Sequence, residues 1–139
     1  MNLSTDEIAR INDNPLYRVV GIFCEQAGAG QAQCRLTPNP EVCWPSPGRP
    51  HGGILFTLMD TTSAWAVMST LADRQDCATI QLDIQYLAAA SGDRFTCGAR
   101  VVRRTRALGF TTAEIFDDQD RLLAVGQGTF KVLGDLPSE

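Results

Sequence analysis

Between Ile54 and Ala72 the chain carries a long apolar run that reads as one helix. Ile54, Leu55, Leu58, Met59, Trp65, Val67, Met68 and Leu71 fall on every side of it. A helix that is apolar all round is a buried helix, so the rest of the chain must wrap it. One carboxylate, Asp60, sits in its middle with no Lys, Arg or His a turn away. Burying an unpaired charge is costly, so Asp60 needs a partner, a raised pKa or a water-filled site. That makes it the first candidate for function.

The flanking segments supply the wrapping. Ser4-Thr5-Asp6-Glu7 fits a capping box and predicts a short helix over about residues 5–12, ended by Asn14-Pro15. Tyr17 to Glu25 is rich in β-formers, Gly28-Ala29-Gly30 signals a turn, and Gln31 to Thr37 reads as a second strand. An irregular loop over residues 38–50, with five prolines, leads into the helix. Beyond it, the polar turn Asp73-Arg74-Gln75-Asp76 precedes strands over Ala78–Leu87, Arg94–Arg104, Phe110–Phe116 and Arg121–Leu133. In the first of these Ile80, Leu82, Ile84 and Tyr86 alternate with Thr79, Gln81, Asp83 and Gln85, which predicts one buried and one polar face.

This order predicts an α+β fold, a six-stranded antiparallel sheet wrapped around one long central helix. At 139 residues the chain is expected to be a single domain over 1–139, with its core over about 15–132. The far side of the helix is also apolar, so a homodimer is expected to cover it.

Composition narrows the function classes. The net charge of −4 argues against general nucleic-acid binding but leaves room for a local basic pocket around a phosphorylated ligand. One histidine and five cysteines without a CxxC pair argue against a zinc site. Cys24, Cys34 and Cys97 lie in strand-like runs and read as small hydrophobes, and all five cysteines as reduced. The start, Met1 to Glu7, lacks the basic end and apolar run of a signal peptide. The central helix is broken by Asp60 and hydroxyls, so it reads as a core helix and not a membrane span. A cytoplasmic protein is expected.

Gly52 and Gly53 open the helix. The first amides of a helix lack internal partners and can hold an anion or a developing oxyanion; glycine there can equally serve close packing of the loop. Asp60 lies eight residues beyond Gly52, about 12 Å along the axis. One chain therefore does not easily aim both at one carbonyl, whereas two antiparallel helices across a dimer axis can. The alternative is that Asp60 bonds local hydroxyls such as Thr57, Thr61 or Ser63.

His51-Gly52-Gly53, six residues and then Asp60 resembles the HGG-x6-D motif of hotdog-fold acyl-CoA thioesterases of the phenylacetic-acid-degradation (PaaI) type. Val101-Val102-Arg103-Arg104, Glu114-Ile115-Phe116-Asp117 and Arg121 to Phe130 also resemble that family, and the likeness covers about residues 15–132. It implies hydrolysis of an acyl- or aryl-CoA. The thioester carbonyl would accept from the Gly53 or Gly52 amide. Asp60 of the other subunit would act as general base or as nucleophile. It also implies a water-placing role for Thr79, which otherwise reads as a solvent-facing strand residue. His51 would sit near the carbonyl, or else cap loop carbonyls.

The CoA phosphates need a cation, and Arg103, Arg104 and Arg106 cluster near a strand end. Arg103 and Arg104 point to opposite faces of a strand, so at most one would meet the ligand directly. The same cluster can be read as a solvated basic strand end. Phe56, Trp65 and Met68 are expected to shape the acyl pocket. No metal or redox cofactor is implied, CoA being part of the substrate, and the dimer is expected to pair into a homotetramer. The sequence departs from the family pattern at Pro45. Many members carry Asn six residues before the His, and proline has no side-chain donor; Ser46 is adjacent. That departure supports a rival reading, a non-catalytic acyl-CoA-binding or sensing protein. A dehydratase has little support, since the lone His51 lies at the helix start.

Overall fold

The structure, a computed structural model, describes residues 2–73 and 75–134. Arg74 of the expected polar turn and Met1 lie outside the described residues.

Two short helices come first. Helix α1, Thr5–Asn12, has the expected capping box: the Glu7 amide donates to Ser4 Oγ and the Ser4 amide to Glu7 Oε2. Helix α2, Pro15–Val20, corrects the expectation of a strand from Tyr17. The Asn14 side chain caps its start by accepting from the Leu16 amide, Pro15 supplies a helix-ready φ at N1, and Gly21 at φ 95° ends it. Those boundary signals outweigh the β-preference of Val19 and Val20. Strand β1 is thereby delayed to Ile22–Gly28. It turns at Ala29 and Gly30, both at positive φ as a tight two-residue hairpin requires, into β2, Gln31–Leu36.

After a 3₁₀ turn at Pro40–Val42 comes the central helix α3, Gly52–Met68. Four strands follow: β3, Asp76–Tyr86; β4, Phe95–Arg104; β5, Leu108–Asp117; and β6, Leu122–Leu133. The sheet is antiparallel with spatial order β1-β2-β4-β5-β6-β3. It wraps one side of α3, burying Leu55, Leu58, Met59, Thr62, Ser63, Ala66 and Val67 against Leu36, Phe95, Ile115, Leu123 and Phe130. The curvature is tight enough that a Cβ on Gly126 would collide with Met59 Sδ and the Asp83 carbonyl.

The two sheet edges are treated differently. Along β1, Asn12 of α1 takes the place of a strand: its Nδ2 donates to the Cys24 carbonyl at 2.8 Å, and the Cys24 amide donates to its Oδ1 at 2.7 Å. Along β3 the backbone edge has no strand beside it among the described residues, and Ile80, Tyr86 and Leu87 are exposed. The expected burial of Ile80 and Tyr86 is thus corrected. The register of β3 against β6 slips between Thr79 and Gln81, leaving Ile80 as an unpaired bulge residue. The bulge inverts the alternation. Cys77 and Thr79 face the helix before it, and Leu82 and Ile84 after it.

Candidate active site

The sheet covers only one side of α3. Gly53, Phe56, Thr57, Asp60, Thr61, Ala64 and Met68, at helical spacing, form the other side and are exposed or half-buried. Asp60 is therefore half-buried in this chain and not enclosed as the sequence pattern suggested. None of Thr57, Thr61 and Ser63 bonds it among the described residues: Thr57 Oγ1 donates to the Gly53 carbonyl, and Ser63 Oγ is buried without a partner. The Asp60 partner comes from the sheet. Thr79 Oγ1 donates to Asp60 Oδ1 at 2.8 Å, a contact made possible by the Ile80 bulge. Asp60 Oδ2 has no hydrogen-bond partner among the described residues.

His51 is the N-cap of α3, and its Nδ1 accepts from the Gly53 amide at 2.9 Å. Two consequences follow. The Gly53 amide is already engaged, so the open donor at the helix start is the Gly52 amide, which has no acceptor among the described residues. And with Nδ1 accepting, a neutral imidazole carries its proton on Nε2. Gly52 itself is clamped from the other side, because the Tyr86 hydroxyl donates to its carbonyl at 2.6 Å. The structure thus brings together His51 and Gly53, and Asp60 and Thr79, as two centres eight residues apart on one helix.

Of the remaining candidates, Trp65 lies half-buried on the flank of α3. Its indole Nε1 donates to the Tyr17 hydroxyl at 2.8 Å, so the misread segment at Tyr17 contributes to this wall. Burial, more than any other cause, raises the Tyr17 phenol above its usual range, and the charge of Asp60 pushes the same way. Cys77 lies close by, its thiol pushed up to about 11 by burial first and then by the charges of Asp76 and Asp60. Phe56 is exposed on the uncovered side of α3. Arg104 is held at the opposite end of the helix, its Nε donating to Thr70 Oγ1 at 3.1 Å. Arg103 pairs across from Phe110 on the sheet's outer face. Within the chain neither arginine meets the His51 or Asp60 centres. The sequence does not single out Tyr17 or Tyr86, because the first sits in a β-rich run and the second at an apolar alternation position.

Among the described residues no group of His, Cys, Asp and Glu is arranged to hold a metal ion, and no helix is long and apolar enough to cross a membrane.

The comparisons with known proteins agree with this architecture. The family described as the Thioesterase superfamily matches residues 48–124, which includes both centres. A Halobacterium salinarum protein named as a candidate esterase is 33% identical over 135 residues, covering 90% of this chain and 89% of that protein. A Haemophilus influenzae thioesterase structure superposes with a TM-score of 0.86 at 17% identity, over 99% of this chain and 94% of that one. The Escherichia coli PaaI protein of the phenylacetic acid degradation operon superposes with a TM-score of 0.80 at 24% identity, over 91% and 90%. The six-stranded antiparallel sheet around one long helix is shared with both. The chain belongs to the thioesterase superfamily as a hotdog-fold thioester hydrolase.

Proposed function

We propose that the protein hydrolyses an acyl-CoA, aryl or short- to medium-chain, to the free acid and CoA, with Asp60 as the carboxylate that activates water. The observation that carries this reading is the Thr79–Asp60 hydrogen bond on the uncovered side of α3. With Oδ1 held by Thr79, Oδ2 is left to take a proton from water. That water attacks the thioester carbonyl, and the new C–O bond gives a tetrahedral oxyanion. The Gly52 amide and His51 Nε2–H are donors suited to that oxyanion. Collapse breaks the C–S bond, and Asp60 returns its proton to the departing CoA thiolate. Direct attack by Asp60, giving a mixed anhydride that water then cleaves, uses the same residues. Water is the only co-reactant this scheme uses, and no electrons are transferred.

Because the two centres are about 12 Å apart along one helix, we assign them to one carbonyl across a homodimer. The Asp60 centre of one protomer would face the helix start of its partner. The unpaired β3 edge and exposed Ile80 support that pairing, since an open apolar edge invites a second strand. Two dimers would then associate as a tetramer, and the cytoplasm, where CoA esters are made and used, is the proposed location. A non-catalytic acyl-CoA sensor is the second reading. It is favoured by Pro45, which offers no donor, and by the engaged Gly53 amide.

Release of free thiol from a panel of aryl-, short- and medium-chain acyl-CoAs, in wild type beside Asp60→Ala, decides between them. Turnover that falls by about 10²- to 10⁴-fold in the variant is expected. Binding of CoA esters without turnover in either protein would establish the sensor instead.

A further inference from the structure

The arginines divide by what they already hold. Arg18 pairs with Asp13, Arg35 and Arg94 with Glu25, Arg121 with Asp117, and Arg104 bonds Thr70. The side chains of Arg10, Arg49, Arg100, Arg103 and Arg106 make no ion pair or hydrogen bond among the described residues, and all five are exposed. Of these, Arg49 lies two residues before His51.

The backbone of the proline-rich loop fixes the face on which Arg49 stands. The His51 amide donates to the Val42 carbonyl at 3.1 Å, the Trp44 amide donates to the Arg49 carbonyl at 2.7 Å, and Cys43 pairs antiparallel with Pro50 between them. These contacts make a three-rung ladder, 42 with 51, 43 with 50 and 44 with 49. Residues directly opposite in such a ladder share a face, and successive rungs alternate. Buried Pro50 and half-buried Cys43 take the inner face. Trp44, Arg49 and His51 therefore share the outer face, with the Trp44–Arg49 rung about 7 Å from His51. Trp44 is 71% exposed.

An indole and an unpaired guanidinium side by side in solvent suit a phosphorylated nucleotide. A base stacks on the indole, and a phosphate takes the planar fork of the arginine. The prolines and the Arg49 amide bond to the Ser46 carbonyl restrain the loop before any ligand arrives, which lowers the ordering cost of binding. In a chain of net charge −4, an unpaired cation on the loop that leads to the helix start suits a phosphate ester.

We propose that Trp44 and Arg49 bind the phosphorylated adenine-nucleotide half of CoA, with the base on Trp44 and a phosphate on Arg49. This inference rests on the thioesterase reading of the Asp60 centre, and it moves the phosphate site from Arg103 and Arg104 to the loop that precedes His51.

Calorimetric titration with adenosine 3′,5′-bisphosphate tests it, using wild type, Trp44→Ala, Arg49→Ala and Arg103→Ala. Both mutated side chains of the loop are exposed, so the core survives their loss. Wild type binds, and Trp44→Ala and Arg49→Ala each weaken binding at least about fivefold, the lower end for losing a stacked base or a phosphate contact. The preference for an acyl-CoA over the matching acyl-N-acetylcysteamine ester, which lacks the nucleotide, falls by a similar factor in both. Absence of binding in wild type overturns the proposal. So does loss confined to Arg103→Ala, or an equal fall on both esters. Dissociation of the oligomer by Trp44→Ala with nucleotide binding intact also overturns it, by making Trp44 a contact between subunits. Nucleotide binding that needs Trp44 and Arg49 in a protein that turns over neither ester supports this site and sinks the hydrolase reading alone.

Discussion

Thr79 Oγ1 lies 2.8 Å from Asp60 Oδ1 and ties the open edge strand to the uncovered side of the central helix. A hydrogen bond to a charged group contributes about 1.5–3 kcal/mol, which corresponds to roughly 10- to 150-fold in rate if the bond orients the base. Thr79→Val is expected to lower kcat by that order while KM changes little, and Thr79→Ser to restore most of it. Steady-state kinetics on the best acyl-CoA of the panel would show this. A Thr79→Val enzyme as fast as wild type would remove Thr79 from the mechanism.

Asn12 closes the β1 edge by bonding both backbone groups of Cys24, and it also donates to the Ile8 carbonyl. Asn12→Ala leaves the Cys24 amide and carbonyl without partners beside the core. The expected loss is about 1–3 kcal/mol of folding stability, read from the urea midpoint at unchanged m-value. Activity at low temperature is expected to persist, because Asn12 touches neither centre.

Asp117 organises the turn between β5 and β6. Its Oδ1 accepts from the Gln119 and Arg121 amides, and its Oδ2 from Arg121 Nε. The Arg121 amide first, then the Gln119 amide and the Arg121 guanidinium, hold its carboxyl below the usual value. A carboxylate depressed on folding stabilises the fold above its unfolded pKa, and that contribution disappears as pH falls through the folded value. Asp117→Asn should therefore lower the melting temperature at neutral pH and leave a shallower decline below about pH 4. Melting curves between neutral and acid pH would test it; parallel curves for the two proteins would refute it.

The Cys77 and Cys97 thiols should titrate late. Burial pushes Cys97 up to about 12, and burial with the neighbouring carboxylates pushes Cys77 up to about 11. Raised folded pKa values favour the folded thiol form, so this contribution is present at neutral pH and is lost as pH rises from about 9 through those values. A thiol reagent at pH 8 is expected to leave Cys24, Cys34, Cys77 and Cys97 unmodified in the native protein, with half-buried Cys43 the reactive one. Counting labelled thiols by mass spectrometry, native against denatured, checks this and sets the background for assays that follow CoA release.

Much of this protein is legible in its amino-acid order. An all-round apolar helix has to be wrapped, and the turn residues and alternating runs around it left a six-stranded antiparallel sheet as the way to do so. That order also singles out Asp60, because a carboxylate in such a helix needs a reason to be there, and His51-Gly52-Gly53, because glycines at a helix start leave amides open. The capping box at Ser4 and the hairpin at Ala29-Gly30 were legible because their chemistry is local. The rest depends on how the elements pack. In the sequence Asn14 and Pro15 mark the end of α1, but the same two residues also start α2 and carry Tyr17 to Trp65. Strict alternation put Thr79 outside and Ile80 inside. A one-residue bulge, which leaves no mark in composition, reversed the phase and delivered Thr79 to Asp60. Periodicity records which residues share a face of one segment. It does not record where register slips, or which faces the neighbouring elements leave uncovered, and here those two facts set the geometry of the candidate site.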